Sequence, residues 1–261
     1  MNKPRAVALM AAAYTLVAAA GAGILLSVEA PALQAMFLAD LVGTVIVFGF
    51  SRAVNNSSMY DPYWSVIPIY IGAWWWVAGG LSLGGGLLMV GILAWGIRLT
   101  WNFLRGWPGL AHEDWRYVDF RRKTGRAYWL VSFSGIHLFP TLTVFAAMLP
   151  AYVAFTTEGG ILPLQILGML VCLAAAAIQG IADNQLAAHR ASSPPKGSIL
   201  DSGLWRYSRH PNYFGKRLTA GDATSWVAAS PESSGITYPS MRAFSSWSAK
   251  SSSSGPKCGL M

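Results

Sequence analysis

An all-α bundle of about six membrane-spanning helices is what this sequence predicts, and three observations predict it. The 261 residues are 54% hydrophobic and only 11% charged, with a mean hydropathy of +0.41. Soluble domains run at about 25% charged residues, so too few charges remain here to clothe a water-facing surface. That excludes a disordered chain, a coiled coil and an ordinary soluble enzyme. Second, the apolar residues gather in stretches near the ~20 residues that cross a hydrocarbon core. Third, the charge is one-sided: 19 Lys+Arg stand against 11 Asp+Glu, a net charge of +8. On a soluble chain that balance would point to nucleic acid. On a membrane chain it reflects basic cytoplasmic loops, so the partner is a lipid bilayer and no nucleic acid is expected.

The stretches run roughly over residues 6–27, 33–52, 64–82, 85–104, 129–156 and 161–182. The first follows Lys3 and Arg5 and ends at Glu29-Ala30-Pro31. It is long for a signal peptide and its cleavage cues are weak, so it reads as a first span or signal anchor. The second carries Asp40, expected to face a bundle interior, a watery cavity or the outer interface, since a charge in hydrocarbon is costly. Before the third lies Asn55-Asn56-Ser57-Ser58-Met59-Tyr60-Asp61-Pro62-Tyr63-Trp64-Ser65, a turn with Pro62 preset for it and Trp64 at the interface. Gly84-Gly85-Gly86 is expected to form the tight turn between the third and fourth stretches. Cys172 lies in the sixth and reads as a small core residue; with Cys258 it makes neither a disulfide framework nor a metal-ligand spacing.

Charge sets the orientation. With the N-terminus in the cytoplasm, Lys3, Arg5, Arg52, Arg98 and the cluster from Arg105 to Arg126 fall on the inner face. Every basic residue after Asp183 joins them, so all 19 lie on one side. The outer loops carry Glu29 and Glu158 alone. This positive-inside pattern supports an even number of spans through residue 182 and an integral membrane location.

Two polar inner segments carry the chemistry. In the first, Arg98 and Asn102 are four apart and share a helix face. Glu113, Asp114 and Arg116 then place both charge signs beside aromatics, a pattern equally open to an interfacial loop with snorkelling side chains. In the second, Gln179, Asp183 and Gln185 end the sixth stretch, and a Ser/Pro/Gly linker leads to Gly203-Leu204-Trp205-Arg206-Tyr207-Ser208-Arg209-His210-Pro211-Asn212-Tyr213-Phe214-Gly215. Arg206 and Arg209 can clamp a phosphate, with His210 and Asn212 as further donors. Tyr207 and Tyr213 can stack on a planar ring or hydrogen-bond a carbonyl. A basic stripe on anionic lipid would explain the arginines but not the ordered His, Asn and Tyr. His210-Pro211 marks a helix boundary, because a residue before proline avoids helical geometry.

Taken together, Leu204-Trp205-Arg206-Tyr207 and Arg209-His210-Pro211-Asn212-Tyr213-Phe214-Gly215 resemble the signature of the bacterial branch of the steroid 5-alpha-reductase-like membrane proteins, a branch treated as a domain of unknown function. Asp61-Pro62-Tyr63-Trp64-Ser65, Gly96-Ile97-Arg98-Leu99-Thr100-Trp101-Asn102, Glu113-Asp114-Trp115-Arg116-Tyr117 and Asp183-Asn184-Gln185-Leu186 are similar to that family in the same order, over roughly residues 5–215. The resemblance implies a helical membrane reductase with NADPH in a cytosol-facing cavity. Hydride would pass to an activated carbon–carbon double bond of a lipid-like enone. Transferred residue by residue, it implies that Asp183, Arg206, Arg209, His210, Asn212 and Tyr213 contact the dinucleotide. Arg98, Asn102, Glu113, Asp114 and Arg116 complete the pocket, and Asp61 polarises the enone through a neighbouring tyrosine such as Tyr63. The sequence has no Gly-rich Rossmann fingerprint.

Past Gly215 the pattern breaks. The family continues with Glu and an apolar final span, whereas this chain has Lys216-Arg217-Leu218-Thr219-Ala220-Gly221-Asp222 and then a Ser-rich stretch without periodicity. Residues 1–215 therefore read as the reductase-like domain and 216–261 as a disordered tail, produced by a frameshift at about Gly215. Loss of that acidic residue and of the final helix would leave the cavity unsealed, so an inactive copy is a further expectation. The His-Pro-x-Tyr-x-Gly piece also occurs in membrane methyltransferases of the isoprenylcysteine and phospholipid type, so an S-adenosylmethionine-dependent enzyme is the alternative, alongside a non-catalytic membrane protein.

Overall fold

The computed structural model describes residues 2–156, 162–195 and 198–212, which form α-helices and short turns with no strand among them. Tyr213, and the stretch from Lys216 read above as a frameshifted tail, lie outside the described residues. The helices are α1 (Lys3–Ser27), α2 (Ala32–Ala53), α3 (Tyr63–Ala78), α4 (Leu83–Gly106), α5 (Trp115–Thr124), α6 (Tyr128–Val131), α7 (Phe139–Thr156) and α8 (Leu162–Ala191).

α1 starts where Asn2 caps the Arg5 amide and stops at Val28, three residues before Pro31. Its buried face is Ala6, Met10, Ala13, Val17 and Gly21, in steps of four and three. α2 answers with Ala35, Met36, Ala39, Asp40, Gly43, Thr44, Val47 and Ser51. Small residues on both faces let the backbones approach, which matters in lipid because apolar burial gives helices little reason to associate. A Cβ on Gly43 would come within 2.8 Å of Val17. Asp40 is 1% exposed and faces the bundle interior, one of the three places the sequence leaves open for it.

Among the described residues, five segments are long and apolar enough to cross a membrane: Lys3–Ser27, Ala32–Ala53, Leu83–Gly106, Trp115–Thr156 and Pro163–Ala191. The third expected span is α3, with 16 residues. It is about 24 Å long at 1.5 Å per residue, short of a core about 30 Å thick. It packs against α4 and α7, and its Tyr63, Ile67, Ile71 and Trp75 are buried, so protein meets much of its surface.

The turn between α3 and α4 corrects the sequence reading. The reversal is made at Gly79, Gly80 and Leu81, with positive φ at Gly80 (81°) and Leu81 (57°). Ser82 then caps α4 by accepting from the Gly85 amide. Gly84, Gly85 and Gly86 lie in the first turn of α4, where they serve close packing instead. A Cβ on Gly84 would collide with Gln165 of α8, and one on Gly85 with Trp76 of α3. Gly79 is tighter still, because its Cβ would strike the backbone carbonyl of Phe155, which cannot swing aside. Gly79→Ala is expected to cost about 1–3 kcal/mol as an overpacking change; a thermal melt of the detergent-solubilised chain checks it.

α4 and α8 run side by side in the same direction. Gly84 meets Gln165, Gly91 meets Cys172, Arg98 meets Gln179 and Asp183, and Arg105 meets Asn184. The α4 partners recur every seven residues, the repeat of a coiled-coil seam. The stretch read as one span over 129–156 lies within the continuous segment Trp115–Thr156, and Ser132–Leu138 is a wider, π-helical turn between α6 and α7. The wider turn sends His137 into the core, where it meets Ser51 at 3.0 Å and the Ser132 carbonyl at 2.9 Å. Ile136 points to a cavity instead.

Polar contacts gather helix ends at one end of the bundle. Lys3 at the start of α1 donates to the Arg105 carbonyl at the end of α4, Arg105 donates to Asn184 of α8, and Arg121 of α5 donates to Asn55 beyond α2. This is the basic end that the charge count placed on a single side.

Candidate functional site

The site is built on the 3₁₀ turn Ser57–Tyr60 at the basic end. Asn56 caps that turn by accepting from the Ser58 amide and donates to the carbonyls of Leu110 and His112, both at 3.0 Å. Glu113 accepts from the Ser57 amide at 2.8 Å, the Tyr128 hydroxyl at 3.1 Å and Arg121 at 3.2 Å. The Asp114 amide donates to Ser58 Oγ. These bonds latch the loop after α4 onto the turn before α3. Asp114 then caps α5, accepting from the Arg116 amide and, through both carboxylate oxygens, from its guanidinium. Burial pushes the Asp114 carboxyl up, but the hydrogen bonds from Arg116 outweigh it and hold the group below the usual range.

The latch brings Tyr117 of α5 to Asp61, 56 residues away in sequence, and the phenol donates to Asp61 Oδ1. Burial pushes the Asp61 carboxyl up to about 7, against the lowering effect of the Tyr117 hydrogen bond. Both residues line a cavity of about 760 Å³. Trp64, Leu99, Phe103, Ile136, Phe139 and Val144 supply apolar wall, while Asn102, His112, Asp114, Arg116 and Arg190 add polar groups. Tyr60 also lines it, but its hydroxyl lies 2.7 Å from Thr141 Oγ1. Thr141 Oγ1 also lies 2.7 Å from Thr44 Oγ1 and 2.9 Å from the His137 carbonyl, so the Tyr60 hydroxyl belongs to a buried hydroxyl network.

A second cavity, about 790 Å³, lies between the end of α8 and residues 198–210. Leu186, His189, Trp205, Arg206, Arg209 and His210 are among its walls. The segment is docked by Trp205 Nε1 donating to the Ala182 carbonyl and by the Leu204 amide donating to Gln185. Gly203 permits this: its φ is 59°, and a Cβ there would collide with the Gln185 side chain. Asn212 donates to Asp183, which accepts from Arg98 through its other oxygen. The last turn of α8 separates the cavities, with His189 lining one and Arg190 the other.

The residues expected at the site thus divide. Asp61, Asn102, Asp114 and Arg116 line the first cavity, and Arg206, Arg209 and His210 the second. Arg98, Asp183 and Asn212 form a polar link between α4, α8 and the segment beyond. Glu113 is the latch. Its side chain is 12% exposed and holds three donors, so Glu113→Ala is expected to cost about 2–4 kcal/mol through stranded buried partners. Thermal unfolding of the variant in detergent measures that loss. The expected pairing of Asp61 with Tyr63 is not the one formed: Tyr63 donates to Asp40 at 2.9 Å, inside the bundle. Residues two apart at a helix start point about 200° apart, so the two cannot share a side. The partner found is Tyr117, whose signal in the sequence was its place in Glu113-Asp114-Trp115-Arg116-Tyr117.

Comparison with known proteins gives a family. The profile described as "Protein of unknown function (DUF1295)" matches residues 47–238, which carries the match past Gly215. A Schizosaccharomyces pombe protein described as "Uncharacterized protein C594.04c" is 26% identical over 214 residues, 72% of this chain. The chain spans 62% of that relative's length. No solved structure matches.

Proposed function

This helical membrane chain belongs to the DUF1295 family, and we propose that it is an NADPH-dependent reductase acting on the carbon–carbon double bond of a lipid-like enone. One observation carries the reading: a half-buried carboxyl, Asp61, braced by Tyr117, faces a largely aromatic and apolar cavity. Motifs similar to the steroid 5-alpha-reductase-like family, in order along the chain, support it.

The chemistry asks for such a group. Reducing an enone builds negative charge on its oxygen, and a preorganised donor must stabilise it. Tyr117 directs its hydrogen to Asp61, and the Tyr60 hydroxyl is engaged with Thr141. Of the carboxyl and phenol groups named, that leaves protonated Asp61 to offer a hydrogen to the cavity. With its acidity shifted to about 7, Asp61 holds its proton below that pH, where an ordinary carboxyl has long since lost it. Trp64, Phe103 and Phe139 would hold the apolar body of the substrate.

Bound NADPH would supply the hydride. The second cavity suits its phosphates by donor chemistry, because Arg206, Arg209 and His210 line it together. Asp183 would hold Asn212 in place through their 3.1 Å hydrogen bond. The basic end would face the cytoplasm, as the positive-inside rule requires.

Cofactor titration of the full chain in detergent tests the proposal. NADPH is expected to raise the melting temperature, since it binds the folded state, and the paired change Arg206→Ala with Arg209→Ala is expected to remove the rise. A response to S-adenosylmethionine alone would favour a methyltransferase. No response of the folded chain to either would remove the enzyme reading.

A further inference from the structure

α2 presents an outward stripe of Val45, Gly49 and Arg52, spaced by four and three residues toward the basic end. Val45 is 55% exposed, and nothing lies within 4 Å of the position a Cβ on Gly49 would take. Beside it run α6 and the π-helical turn. The floor between them is aromatic: the Phe48 ring lies 6.0 Å from Trp129 and 5.0 Å from Phe133. The two elements run antiparallel, because Asn55 beyond α2 is bonded to Arg121 ahead of α6. Arg52, one turn after Phe48, and Arg126, three residues before Trp129, therefore stand at the same level above that floor. Both are exposed, and neither has a carboxylate partner among the described residues. Neighbouring cations are matched: Arg121 pairs with Glu113, and Arg122 with Asp119.

We propose that this seam binds one anionic phospholipid of the surrounding bilayer, with the headgroup at Arg52 and Arg126 and an acyl chain over Phe48, Gly49 and Phe133. Apolar contact gives no preference for one lipid over another, because the bilayer offers the same contact everywhere. Selectivity comes from charge. Two guanidiniums without counter-charge favour a headgroup of net negative charge over a zwitterionic one, and arginine can grip a phosphate with two parallel hydrogen bonds. The open space at Gly49 leaves the chain room to lie against the aromatic floor. This site is independent of the reductase reading.

The full-length chain in detergent is titrated with dioleoylphosphatidylglycerol, dioleoylphosphatidylcholine or inorganic phosphate, with melting temperature as the readout. Phosphatidylglycerol is expected to stabilise more than phosphatidylcholine, and phosphate alone not at all. The double change Arg52→Gln, Arg126→Gln is expected to weaken the phosphatidylglycerol response about tenfold, and Arg122→Gln to leave it intact. Equal responses to the two lipids, an equal response to phosphate, or an unchanged response of the double variant would overturn the proposal. A second readout needs no charge variant: lipids brominated on the acyl chain should quench Trp129, isolated by difference from Trp129→Phe, more strongly on phosphatidylglycerol than on phosphatidylcholine. Equal quenching would also overturn it.

Discussion

Asp61→Asn is expected to lower the rate of enone reduction by about two to four orders of magnitude, the range for removing a positioned acid. The amide keeps the shape of the carboxyl, so Tyr117 still has an oxygen to donate to and NADPH binding should persist. The pH profile separates this from a general loss of structure. Wild-type activity needs the proton on Asp61 and should fall as pH rises through about 7, whereas the residual activity of Asp61→Asn should not follow that titration. Stability carries the same signature. A carboxyl raised from 3.8 to about 7 binds its proton more tightly when folded. Its contribution is therefore full below the unfolded value and is lost as pH rises through about 7. Tyr117→Phe removes a hydrogen bond that lowers the Asp61 value, so it should move the fall in activity to higher pH rather than abolish it. A wild-type rate flat from pH 6 to 9, or an Asn variant within about tenfold of wild type, would remove Asp61 from this role.

How far the sequence reaches depends on the range of the interactions concerned. Apolar stretches follow from the cost of exposing backbone in lipid, a local constraint, and the helices lie where those stretches do. The one-sided charges likewise lie where helix ends gather. Gly84, Gly85 and Gly86 were read as a turn because glycine serves two purposes. The second, close approach, depends on Gln165 and Trp76 in other helices. The span over 129–156 is continuous, but the π-helical turn within it at Ser132–Leu138 leaves no trace in hydropathy. At the site, the polar residues of the two inner segments were legible as types, but their partners were not. Tyr117 reaches Asp61 because Asn56, Ser57 and Ser58 hold the loop ending at Asp114, a set of contacts about 56 residues apart in sequence.

The polar link in the α4–α8 seam sets the largest expected stability effect. Arg98 donates to Asp183 at 2.9 Å and to Gln179, whose side chain is fully buried. The side chains of Arg98 and Asp183 are 15% and 16% exposed, so water replaces little of what either loses. Arg98→Ala leaves Asp183 with Asn212 and leaves the Gln179 carbonyl without its donor, a loss of about 3–5 kcal/mol for a broken buried pair. Removing both charges costs less than removing one, because no uncompensated ion remains. Arg98→Met combined with Asp183→Leu should therefore be more stable than Arg98→Ala, although two changes replace one. Yet Asp183 also holds Asn212, beside the second cavity, so the double variant should regain thermal stability without regaining its response to NADPH. Melting curves of the wild-type chain, of Arg98→Ala and of the double variant, each with and without NADPH, measure both effects. If the double variant recovers both stability and the NADPH response, Asp183 serves packing alone; if Arg98→Ala melts within about 0.5 kcal/mol of wild type, the pair is not the seam's anchor.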